Sequence, residues 1–180
     1  MLGFALRKKI NQHKLANIFV NSLIEVVENG HPEIIEMINE DPAFVYSPNL
    51  SNKHYLNQFL LIVIVGNLEF LKQSFQDYDV DAIENEIIEK FASVFDVTPQ
   101  KFKSLLKNTK AFIDHNNYPS KNILYGLSKA IFYKYKLNNY QESYFKSMNT
   151  PNPLFLKRLD ELLINFMWDW DMFLKRFKLN

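Results

Sequence analysis

Few side chains in this sequence have the type and spacing that metal binding requires. The 180 residues contain four histidines, and these are scattered along the chain at His13, His31, His54 and His115. Helical bundles build metal sites from inward carboxylates and from Glu-x-x-His pairs on facing helices. Only Glu28 and His31 have that spacing, and Gly30 lies between them at a predicted helix end. We therefore expect ordinary surface or boundary histidines and no metal site.

Residues for nucleophilic catalysis and for phosphate binding are equally scarce. The chain has no cysteine and only four glycines, which excludes thiol chemistry and the glycine-rich loops that hold nucleotides. Asp114 and His115 are adjacent, but a triad depends on spatial proximity, not on adjacency in sequence. Asp77, Asp79 and Asp81 alternate like calcium-loop ligands, yet the loop's glycine and closing glutamate are missing. We expect no cofactor and no catalytic centre, although the question of an enzyme stays open.

The segment FMWDWDMF, Phe166 to Phe173, is the most unusual stretch of the chain. Helical spacing of 3 and 4 residues predicts one apolar stripe on a final helix, made of Leu156, Leu159, Leu163, Phe166, Trp170, Phe173 and Phe177. Trp168 lies about 160° from Trp170 on such a helix, with Met172 and Ile164 as neighbours. Tryptophan and methionine are typical of binding surfaces. The sequence predicts an interaction patch of Trp168, Met172 and Ile164, or else contacts of Trp168 with another helix.

A second candidate surface is basic and aromatic. Lys103, Lys107 and Lys110 share one face of a predicted helix, and Tyr125, Lys129, Phe132 and Lys136 follow a spacing of 4, 3 and 4 on the next. Lysines neutralise phosphates and aromatic rings stack on bases, which suggests nucleic-acid binding. The same face suits an acidic amphipathic partner. The alternative is that the aromatic rings pack inside while the lysines reach solvent.

Charge is segregated along the chain. The net charge of the whole sequence is +1, but residues 25–96 carry −11 and residues 97–148 carry +7. The two segments can attract each other within one fold or between two copies, or each can attract an outside partner of opposite charge.

The apolar periodicity of the sequence around these candidate residues is helical almost throughout. The periodicity predicts helices at about 4–29, 32–40, 53–75, 81–95, 99–115, 120–137, 141–147 and 154–178. Gly30 is expected to end the first helix and Pro32 to begin the second. The run FLLIVIV is apolar on every side, which is typical of a central helix. We predict one all-α domain over residues 1–180, an orthogonal or irregular bundle of six to eight helices with its central helix at about 53–75.

The function that this sequence favours is a non-catalytic protein-interaction or regulatory module that self-associates. Two alternatives remain: a nucleic-acid-binding protein using the basic helices at 99–137, and a ligand-binding or enzymatic domain with a pocket between helices. For the pocket, we name Tyr133, Tyr135, Tyr140 and Tyr144 as its lining. The start of the chain does not resemble a secretory signal, and FLLIVIV is shorter than the roughly 20 residues of a membrane span. We expect a cytoplasmic protein with no membrane association.

Overall fold

A computed structural model describes residues 7–75 and 80–180. Eight α-helices lie in these residues: α1 (Gln12–Glu40), α2 (Asn52–Ser74), α3 (Val80–Val94), α4 (Pro99–Asn117), α5 (Ile123–Lys134), α6 (Ser143–Met148), α7 (Pro153–Leu163) and α8 (Trp170–Arg176). Two short strands, β1 (Lys8–Ile10) and β2 (Phe177–Leu179), and two 3-10 turns, Leu137–Tyr140 and Ile164–Phe166, complete the described elements. The all-α prediction of an irregular bundle is confirmed. The expected helix start at Phe4 and the residues Asp77 and Asp79 lie outside the described residues.

Helix α2 is the central helix, as its sequence predicts. Its residues from Ile62 to Leu68 are all buried, and α1, α4 and α5 pack around it. Gly66 brings α5 close, because a Cβ at this position would lie 2.5 Å from Leu127 Cδ1. By length and apolarity α2 is the one described helix that meets the criteria for a membrane span, and 56% of that apolar window is buried inside the bundle. Its apolar character is therefore accounted for by the core that surrounds it.

The first helix differs from its prediction. α1 is continuous from Gln12 to Glu40 and includes both Gly30 and Pro32, which were expected to end one helix and begin another. A Cβ at Gly30 would lie 2.8 Å from the ring of Phe166, so the glycine makes room for that ring. Pro32 removes one backbone donor, and burial of His31, Ile34 and other residues on both sides of it holds the helix together.

Two helix starts illustrate local capping. Thr98 accepts a hydrogen bond from the backbone N–H of Lys101, and Pro99 follows it at the first position of a helix predicted to begin at about 99. The next helix, predicted to begin at about 120, begins at Ile123, and its cap Asn122 accepts from the N–H of Tyr125. Ser120 accepts from the N–H of Asn122 in the preceding turn.

The predicted final helix over 154–178 is wrong. α7 ends at Leu163, a 3-10 turn follows over Ile164–Phe166, and α8 begins only at Trp170. The chain then leaves α8 as strand β2, which pairs in parallel with β1 through Lys8↔Phe177, Lys9↔Lys178 and Ile10↔Leu179. These strands were not predicted, because three-residue strands leave no recognisable alternation in the sequence.

Candidate functional sites

Asn67 organises the break between α7 and α8. This residue of α2 is fully buried. Its side-chain Nδ2 donates to the carbonyl of Phe166 at 2.9 Å, and its Oδ1 accepts from the backbone N–H of Trp168 at 2.7 Å. Its own carbonyl accepts from the indole Nε1 of Trp170 at 3.1 Å. One buried amide thus replaces main-chain hydrogen bonds that the interrupted helix gives up.

The break turns both tryptophans toward the same partner. On a continuous helix the two rings would face opposite sides, whereas here both contact Phe19 of α1, with ring centroids 5.7 Å away for Trp168 and 4.8 Å away for Trp170. An aromatic ring of this size buries about 150–250 Å². At ~25 cal/mol per Å², burying about half of a second ring gains about 2–3 kcal/mol, which offsets one or two lost helical hydrogen bonds of about 1 kcal/mol each.

Trp168 is nevertheless only half-buried, and it lies between two surface grooves. Ile164 lines the first groove, of about 350 Å³, and Met172 lines the second, of about 370 Å³. Both flanking side chains are exposed, Ile164 by 49% and Met172 by 47%. The indole Nε1 of Trp168 is buried and has no hydrogen-bond partner among the described residues. The three residues of the predicted patch therefore lie on one continuous surface, which we call the Trp168 surface.

The charged groups on the Trp168 surface have both signs. Asp169 lines both grooves, Asp171 lines the first, and Arg176 lines the second. Asp169 is also the N-cap of α8 and accepts from the N–H of Met172 at 2.8 Å. Acidic and basic side chains thus lie side by side around a half-buried tryptophan.

The predicted basic-aromatic stripe does not form. Phe132 is fully buried in the core, where its ring contacts Phe155, so it presents no face to a partner. Helix α5 ends at Lys134, and Lys136 lies beyond it in a left-handed conformation (φ 55°). Tyr125 and Lys129 remain half-buried together, with the Lys129 Nζ 4.5 Å from the centre of the Tyr125 ring. The spacing of 4, 3 and 4 residues is that of one helix face, but α5 packs on α2, α4 and α7, which leaves little of its surface free.

The three lysines of α4 share a groove with α2 and α3. Lys103, Lys107 and Lys110 all line it, as the helical spacing predicts. Lys110 pairs with Glu69 of α2 at 3.3 Å and with Asp114 at 3.1 Å. The basic and acidic segments of the sequence therefore meet within the fold at this groove.

The four tyrosines expected to line one pocket lie in different surroundings. The Tyr133 hydroxyl donates to the carbonyl of Asn149, the Tyr140 ring contacts Tyr46, and Tyr144 is largely exposed. Tyr135 is in the core, and burial raises the pKa of its hydroxyl well above the ordinary value. The structure therefore assigns them no common site.

His31 is the one fully buried histidine of the described residues, and it lies beside Tyr135 in the core. His31 Nδ1 lies in a short contact with Asn52 Oδ1, and His31 Nε2 lies 3.1 Å from the Tyr135 hydroxyl, which is 3.3 Å from the carbonyl of Tyr55. Burial lowers the pKa of His31, and the hydrogen bond to Asn52 opposes this in part. A neutral imidazole that donates through Nδ1 satisfies Asn52, and its Nε2 then competes with the carbonyl of Tyr55 for the single proton of the Tyr135 hydroxyl.

Two carboxylates also have a defined partner. Asp41 is buried and accepts two hydrogen bonds from the Arg158 guanidinium, at 2.7 Å from Nε and 2.6 Å from Nη2. The hydrogen bond to Asp41 raises the pKa of Arg158. Asp160 accepts from Ser128, and burial raises the pKa of Asp160. No three histidines, aspartates or glutamates are grouped as metal ligands in 7–75 and 80–180.

Comparison with known proteins gives no family. The sequence matches no protein-family model, and no curated protein and no solved structure is significantly similar to it. Functional inference for this chain therefore rests on its own residues and their geometry.

Proposed function

We propose that this protein is a non-catalytic interaction module that self-associates through the Trp168 surface. The observation that carries the proposal is the position of Trp168, a large ring whose backbone N–H is bonded to Asn67 and which is bordered by the exposed side chains of Ile164 and Met172. Binding energy at interfaces concentrates in such rigid aromatic anchors surrounded by adaptable apolar contacts. The hydrogen bond from the Trp168 N–H to Asn67 already orders the backbone at this position, which reduces the main-chain entropy lost on binding.

The charges favour a second copy as the partner. In a two-fold dimer every contact between residue i of one copy and residue j of the other occurs twice. A dimer that brings Asp169 or Asp171 of one copy to Arg176 of the other therefore forms that ion pair twice. A surface with only one sign of charge would repel itself, and this surface has both signs.

Sedimentation equilibrium of Met172→Lys, Ile164→Lys and the unchanged protein tests the proposal. Each substitution occurs twice in a symmetric dimer, so we expect association at least about tenfold weaker, a loss of ~1.4 kcal/mol or more. Val94→Lys is the matched control, because Val94 is 51% exposed at the end of α3 and lines neither groove. Equal weakening by Val94→Lys, or no effect of the two Trp168-surface variants, contradicts the proposal.

Nucleic-acid binding through α4 has weaker support. Phe132 offers no ring for stacking, and Lys110, one of the three lysines, is already paired with Glu69 and Asp114. A binding constant for an oligonucleotide that falls steeply with salt would favour this alternative.

For the location we propose the cytoplasm. The absence of cysteine agrees with a reducing compartment.

A further inference from the structure

Helices α2, α3 and α4 form a groove that the proposed self-association does not use. Its volume is about 220 Å³. The apolar side chains in it come from all three helices and are Val65, Leu68, Ile88 and Leu106. Each of them belongs to the hydrophobic core and is only 3–6% exposed, so the floor of the groove presents a narrow strip of the core to solvent.

The acidic side chains at this groove are already paired. Lys72 lies 3.4 Å from Glu69 and 3.4 Å from Glu84, and Lys110 lies 3.3 Å from the second oxygen of Glu69. Two glutamates and two lysines thus compensate one another. These four groups hold α2, α3 and α4 together and leave no unpaired carboxylate to receive a cationic ligand.

Lys103 and Lys107 have no such partner among the residues that the structure describes. Both are exposed, both line the groove, and neither forms an ion pair within residues 7–75 and 80–180. They lie one helical turn apart on α4, so their ammonium groups reach the same edge of the groove. The groove therefore combines an apolar floor with an excess of two positive charges on one side.

We propose that this groove binds a small anionic amphiphile, a carboxylate with a medium-length alkyl chain. The carboxylate binds Lys103 and Lys107, whose hydrogen bonds to it are charge-assisted. The alkyl chain lies on the floor between Leu68 and Leu106. The groove is smaller than the roughly 300–1,000 Å³ of pockets for drug-sized molecules, which limits the ligand to a single short chain.

The apolar floor predicts that affinity rises with the length of the alkyl chain, which binding to the lysines alone does not predict. Burial of a methylene is worth about 0.8 kcal/mol, close to a fourfold change in affinity. Part of the chain stays exposed in an open groove, so we expect affinity to rise about two- to fourfold per methylene from hexanoate to octanoate. Binding by charge alone would give equal affinities for the two acids.

Titration of the ¹⁵N-labelled full chain with hexanoate and octanoate, followed by heteronuclear NMR, tests this inference. We expect saturable shifts of the amides of Val65, Leu68, Ile88 and Leu106. The double variant Lys103→Glu/Lys107→Glu is expected to weaken octanoate binding at least about tenfold. Lys53→Glu/Lys157→Glu, which makes the same charge change at two other exposed lysines, is the control and is expected to bind normally.

Several results overturn the inference. No saturable shift with octanoate, equal affinity for hexanoate and octanoate, or equal loss in the two double variants each contradicts it. Octylamine binding as tightly as octanoate also contradicts the role of the lysines. Shifts centred on Trp168 instead of the groove place the ligand elsewhere and refute this site, without bearing on self-association.

Discussion

Replacing Asn67 by leucine tests how the C-terminal segment is held. The substitution keeps a side chain of similar shape but removes both amide functions. The carbonyl of Phe166 and the N–H of Trp168 then lose their partners in a buried position. Each unsatisfied buried group costs about 1–3 kcal/mol, and the added apolar side chain offsets part of the sum. We expect the free energy of unfolding to fall by about 2–4 kcal/mol.

Urea denaturation followed by tryptophan fluorescence and circular dichroism measures this loss. The chain has only two tryptophans, and both lie at the Asn67 contacts, so their emission reports this site directly. Asn85→Leu is the control, because Asn85 is exposed on α3. A loss below about 0.5 kcal/mol for Asn67→Leu, the range of ordinary surface substitutions, would refute the reasoning.

Three further predictions concern stability. Phe132→Ala is expected to lower the free energy of unfolding by about 3–5 kcal/mol in urea denaturation, as for a core phenylalanine, and a surface-like loss would contradict its burial. Arg158→Met leaves the buried Asp41 carboxylate without its partner; because Arg158 is itself about a third exposed, we expect a loss of about 1–3 kcal/mol, incompletely restored by Arg158→Lys. Burial lowers the pKa of His31 in the folded protein, so the unfolded chain binds more protons at this residue. We therefore expect the free energy of unfolding to fall as pH decreases from about 6.5 toward that lowered pKa, by at most ~1.4 kcal/mol per pH unit. His31→Gln should lose this part of the pH dependence, and an unchanged pH profile would show that the folded-state pKa of His31 is not lowered.

The sequence predicts the helices whose apolar pattern is continuous and whose ends are marked. α2 and α4 belong to this class, since one has a long apolar run and the other has a Thr98-Pro99 start. Prediction from the sequence fails where a tertiary contact decides whether a helix continues or ends. Gly30 was expected to end a helix, but it lies within α1, where the absence of a side chain leaves room for the ring of Phe166.

The Trp168 segment shows the same limit. Its spacing fits a helix without interruption, and nothing local marks the break that Asn67 produces from a helix about 100 residues earlier. The one available signal was a polar residue, Asn67, which only Gly66 separates from the apolar run of the central helix. A buried asparagine must find partners, and here its partners are main-chain groups. Ile164 and Met172 line the two grooves that meet at Trp168, for a geometric reason other than the predicted helix face, and their role in binding stays a prediction.

The most direct test of the central proposal is the mass of the unchanged protein in solution. Sedimentation equilibrium from low micromolar to near-millimolar concentration gives that mass as a function of concentration. Self-association through the Trp168 surface predicts a rise from 21.4 kDa toward twice this value, and a return to 21.4 kDa at the same concentrations for Met172→Lys. A mass of 21.4 kDa at every concentration, or a dimer that Met172→Lys and Ile164→Lys leave intact, would contradict the proposal.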